Sequence, residues 1–456
     1  MSIPSYKEYK DSGADWLGEL PRHWEVQPCR YFVFEQTTKN ENAENQAYLS
    51  LLANVGIIPY EEKGDIGNKK PEDLSKCKLV SKGDLVINSM NYGIGSYGLS
   101  ELDGVCSSVY IVLRPRLNRV KARFAFRIFE NRAFQTYAQS FGNGILEHRA
   151  AINWDILKGI HVGLPPVEEQ EAILAFLDRK IAKIDALIAE QGNLIALLDE
   201  KRQATISHAV TKGLNPEALM KDSGVEWLGE VPAHWDVCAV RRVLRRIEQG
   251  WSPECFNRPA EGNEWGVLKS GCVNGGTFEA TENKVLPDTL EPDPSLEVCD
   301  GDLLMSRASG SPALVGSIAH VSNPPPRLML SDKIFRLHLR QDVFSRFFAI
   351  IFSARYVRMQ IEQAISGAEG LANNLPQSSL KEFKIAVPPE AEQLKIIAFV
   401  ETKTGKLNAL ANEAERIIAL LKERRSALIT AAVTGQIDVR RTVSHVLTES
   451  SEALAA

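Results

Sequence analysis

A 17-residue motif occurs twice in this chain, and the duplication limits what the chain can fold into. Residues 10–26 read KDSGADWLGELPRHWEV, and residues 221–237 read KDSGVEWLGEVPAHWDV, 211 positions later. PPVEEQ at residues 165–170 recurs as PPEAEQ at residues 388–393, 223 positions later, so the segment between the motifs differs in length by 12. The sequence therefore predicts two copies of one frame with divergent inserts. Such a frame suits a protein with two recognition surfaces better than an enzyme with one active site.

Length and composition bound the class of protein. At 456 residues the chain predicts about three or four domains. Hydrophobic content is 44% and charged content 24%, and the sequence has no apolar run near the ~20 residues that a membrane span needs. Residues 1–5 lack a secretory signal pattern, which predicts an intracellular, cytoplasmic protein that does not act at a membrane.

Charge and cysteine content narrow the function further. A net charge of −5 argues against a nucleic-acid binder that acts alone, because such proteins usually present a basic face. The seven cysteines are odd in number and form no C-x-x-C pair, so neither a disulfide framework nor a zinc site is predicted. We therefore expect reduced thiols and no metal site.

Two long helices are predicted, each directly after one copy of the PPxxEQ motif. From about Val167 to Ala209, apolar residues recur in a broad heptad-like stripe, with prolines where the helix begins and Gly213 where it ends. At ~1.5 Å per residue this helix is about 60 Å long. The second copy runs from about Glu390 to Val433. Each helix needs an apolar partner, and we expect the two to form an antiparallel coiled coil related by a pseudo-twofold axis.

The inserts, about residues 26–163 and 237–386, differ from the long helices in their sequence pattern. Short β-rich runs such as residues 85–87, 108–113 and 333–337 are interrupted by Gly, Asn and Pro. Each insert also has a helical stretch, near residues 124–139 and 343–364. The fold class predicted is α+β, with two mixed α/β globules separated by the two helices.

Taken together, these features resemble the specificity subunit of Type I restriction-modification systems. The resemblance rests on the W-x-G-x-x-P-x-x-W pattern at residues 16–24 and 227–235, on the PPxxEQ helix starts, and on the G-D-L turns at residues 83–85 and 301–303. It covers nearly the whole chain. It divides the chain into target-recognition domain 1 (residues 1–163), helical spacer 1 (164–213), target-recognition domain 2 (214–386), helical spacer 2 (387–440) and a flexible tail (441–456).

The family resemblance implies a subunit without chemistry of its own that reads a split DNA site. Each target-recognition domain would read one half of a bipartite duplex sequence, and the helices would set the spacer and hold two methyltransferase subunits. Restriction or translocase subunits are further implied partners. The chain itself would bind no cofactor, whereas its partners would use S-adenosylmethionine, and ATP with Mg²⁺ for restriction. The resemblance also implies a prokaryotic cytoplasm.

Polar loops that follow apolar runs are the candidates for DNA contact. Asn and Arg side chains can bond adenine and guanine edges in the major groove, and Ser can bond bases or phosphates. The same composition is also typical of ordinary turns. The candidates in the first insert are Asn54, Asn88, Ser89, Asn91, Tyr92, Asn143 and Arg149, and those in the second are Lys269, Asn274, Arg307, Ser309, Ser311 and Asn373.

The PPxxEQ motifs have two interpretations. A helix start with Glu in its first turn would complement the helix dipole, and the family resemblance implies docking of a partner at the same place. The residues concerned are Pro165, Glu169, Gln170, Pro388, Glu392 and Gln393.

No catalytic motif supports an enzyme. The G-x-G-x-x-G match at residues 93–98 opens no helix pattern and is interpreted as a turn, and the chain contains no P-loop and no H-E-x-x-H. The predicted function is a non-catalytic DNA-recognition and scaffold subunit that acts in phage defence and DNA methylation. The alternative is a coiled-coil adaptor whose inserts bind proteins rather than DNA. A specificity module that serves methylation only, without a nuclease partner, also stays open.

Overall fold

A computed structural model describes most of the chain, namely residues 4–67, 69–142, 151–365 and 373–440. Its contacts divide the chain into two compact units: Met1–Gln191 with Arg416–Ala456 form unit 1, and Gly192–Glu415 form unit 2. Both boundaries cut a long helix near its middle. Each unit therefore contains one insert, the first half of the long helix that follows this insert, and the second half of the other long helix.

The repeated frame is closed in each unit by a pair of antiparallel strands. In unit 1 the strand Glu25–Pro28 follows the tryptophan pattern and pairs with His161–Leu164, which leads into the first long helix, Val167–Thr211. This pairing joins the two ends of the insert, which are far apart in sequence. In unit 2 the strands Asp236–Ala239 and Lys384–Val387 pair in the same way ahead of the second long helix, Glu390–Val433.

Each insert is built around a four-stranded antiparallel sheet, and the predicted mixed α+β class is confirmed. In unit 1 the order is Val33–Glu35, Tyr110–Pro115, Leu85–Asn88 and Tyr97–Leu99. In unit 2 it is Leu244–Gln249, Ile334–Leu339, Leu303–Ser306 and Ile318–His320.

Smaller sheets complete both units. Those of unit 1 are Tyr9–Asp11 with Glu19–Pro21, Leu49–Leu52 with Gly56–Pro59, and Lys78–Val80 with Gly104–Cys106. Those of unit 2 are Met220–Asp222 with Glu230–Pro232, Asn283–Val285 with Gly266–Leu268 and Leu328–Met329, and Ala308–Ser309 with Asn373–Asn374. The shorter α-helices are Cys29–Phe32, Ala122–Glu130, Arg132–Ser140, Trp154–Leu157, Ser345–Phe352, Arg355–Ala364 and Gln377–Glu382.

The helical stretch predicted near residues 124–139 is two helices rather than one. Asn131 has an extended backbone (φ −63°, ψ 122°), and its side-chain oxygen accepts a hydrogen bond of 2.9 Å from the amide of Ala133. This N-cap ends one helix and begins the next. In unit 2 the corresponding break lies at Ala354, which is also extended (φ −80°, ψ 146°). Apolar periodicity does not reveal such a break, because buried residues recur at helical spacing on both sides of it, as at Phe124 and Ile128 and at Phe134 and Ala138.

The G-D-L turn places a buried aspartate directly before a strand of the sheet. Asp84 accepts two hydrogen bonds of 2.8 Å from the Arg114 guanidinium and a third from the amide of Ser81. Gly83 has φ +91°, a conformation that favours glycine. Asp302 of unit 2 repeats the arrangement, with an ion pair of 3.0 Å to Arg336. The motif is thus a turn that is fixed to a neighbouring strand by an ion pair.

We expect Asp84→Ala to lower the free energy of unfolding of unit 1 by about 3 kcal/mol, because it leaves a guanidinium without its buried partner. Hydrogen exchange of peptides from the strand Leu85–Asn88 measures the effect. Lys82→Ala, which removes an exposed ion pair with Glu101 from the same turn, is the matched control and should change exchange little. Equal effects of the two substitutions would contradict the assigned role of Asp84.

Both long helices contribute to both cores. In unit 1, Ile173 and Leu177 from the start of the first helix pack into one apolar core with Ile429 and Val433 from the end of the second. Unit 2 has the reciprocal arrangement, in which Ile206, Ala209 and Val210 share a core with Ile396 and Val400. Burial of each of these isoleucine, leucine and valine side chains stabilises the fold by roughly 1.5–3 kcal/mol.

The predicted apolar stripe is only partly buried. Ile184 and Leu198 are buried as expected, but Leu187 is 44% exposed and Leu194 is 41% exposed. On the second helix Leu410 is 56% exposed. A stripe read from the sequence alone does not distinguish a core position from an apolar position on the open side of a helix.

Candidate nucleic-acid interface and helix starts

In the first insert, candidate residues from two separate segments meet at one surface. Asn88 ends a strand, and its side-chain oxygen accepts from the amide of Met90 (3.2 Å), while the amide of Asn91 donates to the Asn88 carbonyl. Asn54 comes from another loop. Its amide donates to the Gly95 carbonyl (2.9 Å), and its backbone is left-handed (φ +60°). The structure therefore brings Asn54 beside the turn that follows Asn88.

Exposed apolar side chains surround these asparagines. Val55 is 65% exposed, Met90 58% and Val109 60%. Ser89 lies beside Val109, since its hydroxyl is 3.5 Å from the Val109 carbonyl oxygen. A surface of amides and exposed apolar groups can bond adenine edges and contact thymine methyl groups. These apolar residues were not among the candidates predicted from the sequence, although their position next to the polar loop is visible there.

The structure corrects the prediction for Tyr92. Its side chain is fully buried, and its hydroxyl donates to the carbonyl of Phe129. Burial raises its pKa well above the usual range. A side chain inside the core cannot reach DNA, so the prediction of a DNA contact by Tyr92 is wrong. The turn it occupies, Tyr92–Ile94, is followed by Gly95 with φ +91°, so the interpretation of the G-x-G-x-x-G match as a turn is confirmed.

In the second insert, two candidate loops are joined by a short sheet. Ser309 pairs with Asn373, and the Ser309 hydroxyl accepts from the amide of Ser311 (3.2 Å). Arg307 is half-buried: its guanidinium donates to the Asp332 carbonyl (3.2 Å) and lies 5.9 Å from the centre of the Phe335 ring. The four candidates Arg307, Ser309, Ser311 and Asn373 thus belong to one surface.

The remaining candidates lie elsewhere or outside the described residues. Lys269 is half-buried and 3.9 Å from Glu282. Asn274 is exposed, in a turn that packs beside the strand Ile318–His320. Asn143 and Arg149 lie outside the residues that the structure describes. DNA contact by all of these candidates except Tyr92 stays a prediction.

The helix-start motif of unit 1 is a buried hydrogen-bonding centre. Glu169 is 7% exposed and accepts from the Trp24 indole (3.0 Å), from the Tyr6 hydroxyl (2.6 Å) and from His23 Nε2 (2.7 Å). Burial, and then the bond to Glu169, raise the pKa of Tyr6 above its usual range. In this way the tryptophan pattern and the PPxxEQ motif, about 145 residues apart, are parts of one structure.

Unit 2 repeats this centre in a more open form. Glu392 accepts from the Trp235 indole (2.9 Å) and from His234 (2.6 Å), but its side chain is 36% exposed. A tyrosine equivalent to Tyr6 is missing, because Glu217 stands 211 positions after it. The two centres therefore share one motif, but its glutamate accepts from three donors in unit 1 and from two in unit 2.

The adjacent glutamine also has a structural role. Gln170 donates to the Pro165 carbonyl (3.0 Å) and accepts from the amide of Lys121 (2.9 Å), at the start of an insert helix. Gln393 does the same with Pro388 and Phe344. Such bonds satisfy backbone groups that helix ends leave open.

Docking of a partner at these residues is not supported by the structure. Of the six candidates only Glu392 is more than slightly accessible, and the other five are buried: Pro165, Glu169, Gln170, Pro388 and Gln393. The helix-start interpretation explains why these residues are buried. It needs one refinement, because side-chain donors, and not the helix dipole alone, bind the two glutamates.

In the part of the chain that the structure describes, no group of three or more His, Cys, Asp or Glu side chains could hold a metal ion. No helix within that part combines the length and the apolar character required to cross a membrane.

A duplicated α+β frame that presents a polar loop surface in each unit defines a recognition module. Residues 33–196 match the family described as Type I restriction modification DNA specificity domain. The EcoEI specificity subunit of Escherichia coli is 35% identical over 230 residues, which are 49% of this chain and only 38% of that relative. The EcoKI specificity subunit of Escherichia coli K12 is 23% identical over 447 residues, covering 92% of this chain and 90% of the relative.

The fold is similar to that of a solved chain. A chain from the solved structure described as "Structural basis underlying complex assembly and conformational transition of the type I R-M system" superposes with a TM-score of 0.66 at 17% identity, over 91% of this chain and 98% of that one. The resemblance to type I specificity subunits that the sequence predicts is confirmed by the family match and by these relatives.

Proposed function

We propose that each unit reads one half of a bipartite duplex DNA site, and that the chain is not itself catalytic. The observation that carries this proposal is the contrast between frame and loops. Frame residues such as Trp24 and Trp235 make the same contacts in both units. The loops differ, with Asn88 and Asn91 at one surface and Arg307 at the other. Two different readers on one frame would recognise an asymmetric sequence.

The long helices would form an antiparallel coiled coil that sets the spacer between the half-sites. In unit 1 the Arg425 guanidinium of the second helix bonds Asp185 of the first (3.2 Å), and the end of the second helix packs at the start of the first. Unit 2 has the reciprocal apolar packing, in which the end of the first helix packs at the start of the second. The first helix has 45 residues, or about 68 Å at ~1.5 Å per residue, which is about two turns of duplex DNA.

The exposed sides of the helices would dock two methyltransferase subunits. Leu187 and Leu420 are exposed in unit 1, and Leu410 and Leu197 are exposed at the corresponding positions of unit 2, since each pair is 223 positions apart. Exposed apolar groups at equivalent places of a repeat indicate an interface that is used twice. The partners would supply S-adenosylmethionine, and a restriction or translocase partner ATP with Mg²⁺, in the prokaryotic cytoplasm.

The test is the methylome of cells that express this chain with its neighbouring methyltransferase. We expect a bipartite N6-methyladenine motif that disappears when the chain is deleted. Exchange of residues 237–386 for the insert of a relative should change one half of this motif and leave the other half unchanged. The exchanged chain should discriminate strongly against the half-site that the original insert recognised. Specific DNA sites are typically bound about 10³-fold or more tightly than non-specific DNA.

Two results would contradict the proposal. A methylome that is unchanged by deletion, with both proteins verified as expressed, would favour the protein adaptor. An insert exchange that changes both halves of the motif would refute one reader per unit. The exchanged chain keeps the frame residues Trp24 and Trp235. The half of the motif that stays unchanged therefore serves as the control for folding.

A further inference from the structure

The internal repeat permits a comparison of corresponding positions in the two units. Residues 120–211 hold one register with the second copy, so that each residue corresponds to the residue 223 positions later. Arg123 corresponds to Arg346, and Arg202 corresponds to Arg425. In each unit these arginines line a cleft between the insert and the long helices.

In unit 1 this cleft has its own carboxylates. Glu130 is almost fully buried and forms ion pairs with Arg127 and with Arg425 (3.0 Å), which also bonds Asp185 (3.2 Å). A further pair joins Arg123 to Asp178 at 2.6 Å. Three arginines and three carboxylates therefore balance one another: Arg123, Arg127 and Arg425 with Glu130, Asp178 and Asp185.

In unit 2 two of the three carboxylates are missing. The positions of Glu130 and Asp185 hold Ser353 and Asn408, neither of which is charged. Arg202 and Arg346 are both present. The cleft of unit 2 thus keeps Arg202 and Arg346, and of the three carboxylate positions only that of Asp178 still holds an acid, Glu401.

The carboxylates that do lie near these arginines hold them weakly. Arg346 is 3.7 Å from Glu401, and both side chains are about half exposed. Arg202 bonds Asp199 (2.6 Å) on its own helix, and the Asp199 side chain is 60% exposed. Surface ion pairs of this kind contribute little to stability. Both guanidinium groups are therefore free to exchange these partners for a stronger one.

The cleft has room and further donors. Its volume is about 390 Å³, and neutral groups on its wall include the Thr277 hydroxyl and the Asn408 amide. Gly275 and Gly276 turn the chain at its edge with φ +71° and +80°, and a Cβ on Gly275 would meet nothing within 4 Å. His320 also lines the cleft, and its pKa is lowered by burial and then by the positive charge of Arg346.

We propose that this cleft of unit 2 binds a phosphate group. Two guanidinium groups from different helices, with hydroxyl and amide donors around them, suit a tetrahedral oxyanion that accepts bonds from several directions. The phosphate takes the place that the Glu130 and Asp185 carboxylates fill in unit 1. It can come from the DNA backbone or from a free phosphate compound, and the adjacent DNA-contact candidate Asn274 favours the DNA backbone, an assignment that rests on the proposed function.

The first experiment titrates the full-length chain with inorganic phosphate by calorimetry, with ionic strength held constant by chloride. We expect saturable binding of one phosphate, with an affinity in about the millimolar range. Ser353→Glu with Asn408→Asp restores the two carboxylates of unit 1 and should weaken binding at least 10-fold. Arg346→Gln, at a half-exposed position that tolerates substitution, should do the same.

Arg123→Gln is the matched control, because Arg123 occupies the corresponding place in unit 1 but is held by Asp178. Its phosphate affinity should equal that of the unaltered chain. The proposal is overturned if the unaltered chain shows no saturable binding, or if Arg346→Gln and the double variant bind phosphate as tightly as the control.

A second experiment identifies the source of the phosphate. The chain with its methyltransferase is titrated with duplex DNA across a range of salt concentrations. If the site holds a backbone phosphate, Arg346→Gln should reduce the slope of log affinity against log salt by about 1. An unchanged slope together with lost phosphate binding would assign the site to a free phosphate compound. Absence of DNA binding in every variant, with phosphate binding intact, would refute the proposed function but not the phosphate site.

Discussion

Replacement of both Leu187 and Leu420 by glutamate is expected to remove one of two docked methyltransferase subunits. These leucines are 44% and 56% exposed, and they come from the two long helices of unit 1. If a partner buries them, each glutamate places an unpaired charge in an apolar contact. We expect the affinity of that contact to fall at least about 100-fold.

The measurement is native mass spectrometry of the chain mixed with excess methyltransferase. The unaltered chain should bind two partner subunits, and the double variant should bind one. Leu197→Glu with Leu410→Glu repeats the lesion in unit 2 and should also leave one, whereas all four substitutions together should leave none.

Leu219→Glu is the matched control, because Leu219 is 83% exposed and lies outside the long helices. It should not change the number of bound subunits. All these positions are exposed, so the melting temperature of the chain should be nearly unchanged. Two methyltransferase subunits on the quadruple variant would show that the partner docks elsewhere.

The sequence predicted the frame well because the frame is repetitive. The second long helix begins and ends where it was predicted, at Glu390 and Val433, and the first ends two residues beyond Ala209. Proline at the start and glycine after the end are local signals that act through backbone geometry. Because the frame is duplicated, each of these signals occurs twice. A wrong helix boundary predicted from one copy would have disagreed with the other copy.

The sites were harder to predict because their geometry depends on distant segments. The bond between Trp24 and Glu169 joins residues 145 positions apart, and pattern alone gives no reason to pair them. Asn54 lies beside Gly95 for the same kind of reason. The prediction for Tyr92 failed for a different reason. A polar residue in a polar loop was expected to be exposed, but the Tyr92 ring is buried in the core and only its hydroxyl needs a hydrogen-bond partner.

The structure also explains why the two motifs recur together. The tryptophan pattern supplies donors that the glutamate of the PPxxEQ motif accepts, and the glutamine of this motif bonds the helix start to an insert helix. The strand pair between them, Glu25–Pro28 with His161–Leu164 in unit 1, brings the ends of the insert together. The hydrogen bonds at Glu169 then join the start of the long helix to the tryptophan pattern. The loops of the insert are under no such requirement and are free to differ.

Glu169→Leu should therefore destabilise unit 1 strongly. The change leaves the Trp24 indole and the Tyr6 hydroxyl without an acceptor in a buried place, and it also removes the partner of His23. We expect the free energy of unfolding of unit 1 to fall by about 3–5 kcal/mol. At 1.4 kcal/mol for each factor of ten, amide exchange in peptides around Trp24 should accelerate more than about 100-fold.

Glu392→Leu is the matched substitution in unit 2. Its side chain is 36% exposed and accepts from two donors rather than three, so that water can replace much of what is lost. We expect a destabilisation of about 1 kcal/mol, confined to peptides around Trp235. Hydrogen exchange with mass spectrometry measures both units in one sample. Equal acceleration in the two variants would show that burial and the third donor at Glu169 contribute nothing, because the two centres otherwise share the same motif.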